Sequence, residues 1–379
     1  MDKHLNIVAF DNPYPPNYGG VIDVYYKLKS LSEIGIKIHL HFFTKHNNSS
    51  EILHQICDEV FIYKRKHGLL QQLTINPYIV QSRTSKELKA NLNKTDFPIL
   101  FEGLHTTKLV SEDASIRKRS IIRHHNIEHD YYFGLYKSSN NILHKYYYWI
   151  ESIKLRSYLN KVKDAAFHLT ISDADANKLA TAGFKNIITI PPFHSSTKEN
   201  AISSNQVQDE PPYVLYHGNL NVEENLSAVD YLINHVFTDS TVKYIIAGSS
   251  NSTYLKSKST NNICIIENPS HEEITDLVAN ARVIVLPTFQ STGVKLKLID
   301  SLYKGQHVIV NEVMIEGFPL PELTLIAKDA EEMKKLISAN LNNLFTSNER
   351  EKRIQKLNLY FDNKLNAAKI NEGIEKLSS

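Results

Sequence analysis

The chain has little cysteine: two residues in 379, Cys57 and Cys264. They lie far apart and have no metal-ligand spacing, which excludes a disulfide framework and fits a reducing compartment. No apolar run approaches the roughly 20 residues that a membrane-spanning helix needs. The N-terminal "MDKHLNIVAFD" enters a strand at once and lacks the layout of a secretory signal, so a cytoplasmic location is expected. Charge of one sign is not in excess. Forty-three Lys and Arg against 41 Asp and Glu leave a net +2, which gives no reason to expect nucleic acid as a partner. The G-x-G-x-x-G dinucleotide fingerprint is absent, so no nicotinamide or flavin cofactor is expected. No carboxylate cluster suited to an octahedral ion is read from the chain, and metal independence is expected.

What is present is a hydrophobic share of 42% against 22% charged, enough for two ordinary cores. Strand-like runs alternate with helical ones in both halves, which predicts parallel sheets covered by helices. In the first half the strand candidates are "LNIVAFD", "IKIHLHFF", "DEVFIYK", "PYIVQSR", "PILFEGL", "SIIRHHN", "AFHLTIS" and "NIITIPPF". In the second they are "YVLYHGN", "VKYIIAGS", "ICIIEN", "RVIVLPT", "HVIVN" and "LTLIAK". Residues 194–212 are rich in Ser, Asn and charge and poor in periodic apolar residues, as a linker would be. The expected division is 1–193, linker 194–212, 213–346, and a helical segment 347–379 that packs back on the first domain. Two such doubly wound halves bind ligands outside the carboxyl ends of their strands, and a cleft between them is expected.

Four stretches carry candidate chemistry. "FDNPYPPNYGGVIDVYY" (10–26) leads a strand through a long loop into Gly19-Gly20 and a helix, where a backbone can approach an anion. "RSIIRHHNIEHDYY" (119–132) places His124, His125, Asn126, Glu128 and His129 just after a strand. Histidine at such an end can orient a sugar hydroxyl or a phosphate; a self-capped polar loop is the competing reading. "YHGNLNVEENLSAVDYL" (216–232) turns at Gly218-Asn219 into a helix. "FQSTGVKLKLIDSLYKGQHVIVN" (289–311) opens with small residues, including Thr292 and Gly293, and continues as a helix bearing Lys295, Lys297 and Asp300. Loop amides and lysine charge at one helix start suit a phosphorylated ligand. The bland alternative is a surface ion pair between Lys297 and Asp300, worth about 0–1 kcal/mol.

Together these stretches resemble the family 4 glycosyltransferases of GT-B fold, over nearly the whole chain. "RHHNIEHDYY" is similar to the family's R-x-HNIEH-x-YY variant, "GNLNVEENLSAV" to its "GN…N…AV" segment, and "STGVKLKLIDSLYKGQHVIV" to its "GTGIKLKLLEAMA-x-G-x-PVV" signature. The resemblance implies an α/β protein of two Rossmann-like domains facing a central cleft. It implies a retaining, metal-independent hexosyl transfer from a nucleotide-diphosphate sugar to a glycan or lipid-linked glycan. His125 and Lys297 would be catalytic. Gly19, Gly20, Gly218, Asn219, Thr292, Gly293, Lys295, Lys297 and Asp300 would bind the donor; Glu102, His124, Asn126 and Glu128 would lie on the acceptor side. Thr292 stands where the commonest family pattern has its first glutamate, and Asp300 shortens the second. The rival expectations are a non-catalytic GT-B subunit supporting a partner transferase and a sugar-nucleotide epimerase of the same fold.

One further pattern concerns a surface. "YKRKHGLL" (63–70) and the aromatic, basic helix expected at 144–163 supply Lys64, Arg65, Lys66, Lys145, Lys154 and Arg156. On the acceptor side these would hold the protein against an anionic membrane surface. The competing reading packs the aromatics into the first core.

Overall fold

The computed structural model describes residues 3–45, 50–139, 141–196, 211–250, 255–290 and 295–378. The chain forms two compact units, Met1–His194 with Asn363–Ser379, and Ser195–Asp362. The strands of the first are β1 (Lys3–Ala9), β2 (Ile36–Thr44), β3 (Glu59–Lys64), β4 (Ile99–Glu102), β5 (Ser120–His124), β6 (Phe167–Thr170) and β7 (Ile187–Thr189). They form one parallel sheet in the order β3-β2-β1-β4-β5-β6-β7. Its strands are apolar on both faces because helices cover both. In β1, Leu5, Ile7 and Ala9 join the core that holds Val24, Leu28 and Leu31 of the helix Gly19–Glu33. Val8, of opposite parity, joins the core containing Leu155 and Tyr158 of the helix Ile142–Leu159.

The second unit holds β8 (Tyr213–His217), β9 (Lys243–Gly248), β10 (Ile263–Glu267), β11 (Val283–Leu286), β12 (His307–Val310) and β13 (Leu325–Ile326). Their order is β10-β9-β8-β11-β12-β13, again all parallel. Strand order reverses between β1 and β4 in one unit and between β8 and β11 in the other. Loops leaving the carboxyl ends at such reversals diverge and open a crevice for ligand.

Three expectations need correction. "PYIVQSR" is not a strand: Tyr78–Gln81 is a short helix whose Ile79 and Val80 are buried. Arg83 ties this turn to the end of β1, donating from Nε to the Phe10 carbonyl at 2.6 Å and from Nη1 to the Ile79 carbonyl at 2.9 Å. The segment 347–379 does not return as one piece. The helix Ser347–Phe361 sets Ile354, Leu357 and Phe361 into the second core, and only Asn363–Ser378 joins the first, through Ala367, Ile370 and Ile374. The ends of the expected linker belong to the units themselves. His194 and Asn363 exchange hydrogen bonds within the first unit, at 3.3 and 2.8 Å, and Ser196 is buried in the second. Residues 197–210 lie outside the description.

Candidate functional site

In the first unit the carboxyl ends of β4 and β5 meet the helix Gly19–Glu33. Glu102 ends β4, Arg123 lies in β5, and His125 follows it. Arg123 and His125 differ by two positions and point the same way, towards Asp23 of the helix. Arg123 Nη2 is 3.1 Å from Asp23 Oδ1, and His125 Nδ1 is 3.6 Å from Asp23 Oδ2. His125 Nε2 is 2.9 Å from Glu102 Oε2. Lys27 completes the set, donating to Asp23 at 2.9 Å and to both Glu102 oxygens at 2.7 and 2.9 Å. The Phe193 amide also donates to Asp23, at 2.7 Å. Two carboxylates and two fixed cations thus cancel inside the protein. The Asp23 carboxyl is held far below its usual range against the cost of burial, chiefly by Arg123, then Lys27 and His125. His125 is the member that solvent reaches, with 11% of its side chain exposed against 2% or less for the other four. The cluster therefore grips one imidazole and presents it at the strand ends.

Asp23, Glu102 and His125 are the one set of three His, Cys, Asp or Glu side chains among the described residues close enough to share an ion. Their geometry fits the Lys27 ammonium, which already lies within hydrogen-bond distance of both carboxylates. One Asp-x-Asp spacing does occur, Asp173 and Asp175, contrary to the reading that no such carboxylate pattern is present. Both begin the helix Asp173–Thr181, where acids favour the positive helix end, and the Asp175 amide bonds the Ser172 hydroxyl.

The acceptor-side candidates separate. His124 must be removed. It is one residue from Arg123 and His125 in an extended chain, so it faces the other side of the sheet. There its Nε2 lies 3.0 Å from His168 Nδ1, and burial holds its pKa well below the usual value. Asn126 is half-buried in the turn after β5. Glu128 starts the helix Glu128–Ser138 and is buried; desolvation pushes its carboxyl up to about 8, with Arg83 opposing. His105 Nδ1 stands 4.0 Å from its Oε1 and is kept neutral by burial. A protonated carboxylic acid and a neutral imidazole can donate to or accept from uncharged hydroxyls. Glu102 belongs to the charge cluster and is wholly buried. Gly19 and Gly20 begin the first helix, whose first turn carries no acid. A side chain at Gly20 would strike the Phe10 ring, 2.8 Å from the ideal Cβ position.

In the second unit the loops after β8 and β11 and the helix Leu296–Lys304 form the corresponding place. Gly218 leaves β8 so close to β9 that a Cβ on Gly248 would lie 1.7 Å from the Gly218 carbonyl oxygen. The Asn219 carbonyl accepts from Asn225, fixing that amide in the first turn of the helix Glu223–Tyr231. Asn225 Oδ1 then accepts from Lys297 Nζ at 2.8 Å, while Tyr216 places its hydroxyl 3.4 Å from the same nitrogen. The ammonium also lies over the Tyr216 ring, 5.1 Å from its centre. Lys297 is half-buried and its immediate partners are neutral. Desolvation of its ammonium lowers its pKa to about 8, partly offset by Glu224. Lys295 differs: its ammonium is paired with Glu224 at 3.0 Å, and Glu224 also takes the Thr288 hydroxyl.

Asp300 does not pair with Lys297. Lys304, one turn on, is 2.7 Å from Asp300 Oδ1, and the Ser196 hydroxyl donates to the same oxygen at 2.6 Å. The carboxyl stays below its usual range because Lys304 and Ser196 offset its desolvation, and its side chain is 27% exposed. The helix Ser347–Phe361 secures the far end of this element. Arg350 donates to the Lys304 carbonyl at 2.7 Å, and Arg353 to those of Gly305 and Gln306, where a helix terminus leaves carbonyls unpaired. Thr292 and Gly293 lie outside the described residues.

The residue motifs missed Asp23, Lys27, Arg123, Glu224 and Asn225. A signal was present for the first two. They interrupt the apolar stripe of Val24, Leu28 and Leu31 at helical spacing, where a charge needs a buried partner.

Comparison with known proteins bears on the second unit most directly. Residues 211–343 match the family described as glycosyl transferases group 1. A Klebsiella pneumoniae protein described as an uncharacterized 44.6 kDa protein in the cps region is 26% identical over 332 residues, covering 82% of this chain and 83% of that one. Among solved structures, a glycosyltransferase from Rickettsia africae superposes with a TM-score of 0.68 at 14% identity, with 100% of both chains covered. Anabaena HepE in complex with UDP-glucose gives 0.66 at 12% identity, over 98% of this chain and 99% of that one. The two α/β units therefore have the GT-B fold, and no helix among the described residues is long and apolar enough to cross a membrane.

Proposed function

We propose that this GT-B protein is a glycosyltransferase moving a hexosyl residue from a nucleotide-diphosphate sugar to a glycan or lipid-linked acceptor, with retention and without a metal ion. The observation that carries the reading is Lys297, an enclosed ammonium held by an amide oxygen, a phenol and a π-face instead of a carboxylate. Such a cation is short of negative charge, and a diphosphate would supply it. As the anomeric C–O bond to the diphosphate breaks, charge grows on the departing phosphate. Lys297 would stabilise it, and the acceptor's hydroxyl proton would leave with the phosphate as the new C–O bond forms. Asp300, with both its bonds on Oδ1, would offer Oδ2 to the ribose hydroxyls, and Lys295 would stand beside the diphosphate as Glu224's partner. In the first unit, His125 would orient a sugar hydroxyl or a phosphate, and Glu128 with Asn126 would meet the acceptor. The nucleotide sugar bound by HepE supports the donor class. The cps-region relative supports a polysaccharide product, and the reading places its synthesis in the cytoplasm, at the inner face of a membrane.

The test is Lys297→Ala. Loss of one charge-assisted contact should weaken nucleoside-diphosphate binding by roughly 1.5–3 kcal/mol and slow transfer by a similar factor. Calorimetry showing unchanged affinity in a folded variant would remove Lys297 from the donor site.

A further inference from the structure

Half of the exposed large apolar side chains among the described residues fall in two stretches of the first unit, 70–75 and 133–153. In the helix Ile142–Leu159, Tyr146, Trp149 and Ile153 recur at helical spacing on one stripe and are 63%, 43% and 52% exposed. The aromatics expected to fill the core divide, since Tyr158 is buried while Tyr146 and Trp149 face solvent. Leu73 and Ile75, 82% and 89% exposed, stand beside this helix because their segment is tied to it. Lys154 Nζ donates to the Gln72 carbonyl at 2.9 Å, Lys161 Nζ to Asn76 at 3.3 Å, and the Tyr78 amide to Glu151 at 2.7 Å. Scattered apolar residues are ordinary on a surface, but exposed apolar side chains concentrated on two stretches tied to each other mark an interaction site.

The charge around the patch decides what it meets. Residues 64–76 and 131–161 contain eight Lys and Arg and one acid, in a chain whose charges otherwise nearly balance. That acid, Glu151, is buried and spent on the Tyr78 amide and Lys154. Two stretches rich in lysine, with no exposed acid among their own described residues and carrying Tyr, Trp, Leu and Ile, match an anionic bilayer interface. Headgroups neutralise the lysines while the aromatic and aliphatic side chains enter the acyl boundary.

We propose that this face of the first unit docks on an anionic lipid bilayer, with Leu73, Ile75, Tyr146, Trp149 and Ile153 inserting and Lys64, Lys66 and Lys145 meeting headgroups. The proposal deepens the lipid-linked part of the proposed function and rests on it only for its purpose, because binding is read without any glycosyl transfer.

Trp149 is the single tryptophan of the chain, so its emission reports insertion directly. Phosphatidylglycerol-containing vesicles should shift the emission to the blue, and acyl-brominated lipid should quench it. Pure phosphatidylcholine should do neither. Raising salt from about 0.1 M to about 1 M shortens the screening length from ~10 Å to ~3 Å and should release the protein. Lys64→Ala and Lys66→Ala should each weaken binding about five-fold, and Leu73→Ser with Ile75→Ser about ten-fold or more. These side chains are exposed, so the variants keep their fold. An absent shift with anionic vesicles at low salt, or equal binding by the variants, overturns the proposal. So does a lipid-free dimer in sedimentation that buries Trp149, since the occupant would then be a second copy. Nucleoside-diphosphate binding measured alongside separates this failure from failure of the donor site.

Discussion

At the scale of single residues, two groups displaced to about 8 from opposite sides both predict a loss as pH rises, one of affinity and one of stability. Lys297 is pulled down to about 8 by desolvation, and only its protonated form attracts a diphosphate. Affinity for a nucleoside diphosphate should therefore hold below pH 8 and fall above it, by up to about ten-fold per pH unit for one proton. Lys297→Arg, charged throughout, should lose that slope; binding calorimetry across pH 7 to 10 checks both. Glu128 is pushed up to about 8, against roughly 4.3 in an unfolded chain. Between those values the folded protein keeps a proton that the unfolded chain has released, so stability falls as pH rises from about 4 to 8. Glu128→Gln keeps a neutral donor in place and should raise first-unit stability at pH 8 by roughly 1–3 kcal/mol. Denaturant melts at pH 5 and pH 8 should show the gain only at the higher pH.

At the scale of elements, the carboxy-terminal helices serve different units despite their adjacency. Phe361 is 1% exposed in the second core, and Ile370 is 1% exposed in the first. Phe361→Ala should cost about 3–5 kcal/mol in the second unit, and Ile370→Ala about 2–5 kcal/mol in the first. Hydrogen exchange resolved by peptide should show each loss confined to its own sheet. A single shared loss of protection would contradict the division at Asp362. The helix Ser347–Phe361 also carries Arg350 and Arg353 to the carbonyl end of the helix bearing Lys297 and Asp300. Its distance in sequence from the signature stretch conceals that it anchors the same element.

At the scale of the whole molecule, the proposed transfer calls on no metal ion. Lys27 and Arg123 already balance Asp23 and Glu102, and the proposed donor site relies on Lys297, whose hydrogen-bond partners are neutral. Transfer by the intact chain should therefore be unchanged in excess EDTA, and added Mg²⁺ or Mn²⁺ should not raise it. Loss of activity on chelation, restored by either ion, would overturn the metal-independent chemistry.

The alternating βα plan and the strands flanking the site were readable because parallel strands buried on both faces are continuous apolar runs, and their helices repeat at 3.6 residues. The stretch around His125 and that around Lys297 were readable for the same local reason, since both lie where a periodic segment ends. Local periodicity does not say which neighbours meet. Asp23 and Arg123 are a hundred positions apart, and only the pairing of β4 and β5 beside the first helix brings them together. Parity within β5 sent His124 into the core and left His125 at the strand ends. Of two lysines two residues apart at the start of the helix Leu296–Lys304, tertiary contact gave Lys295 the Glu224 carboxylate and left Lys297 among neutral groups. Composition and spacing thus determined most of the elements and which stretches carry candidate chemistry. The packing of elements distant in sequence decided which charges are spent on the fold and which remain for chemistry.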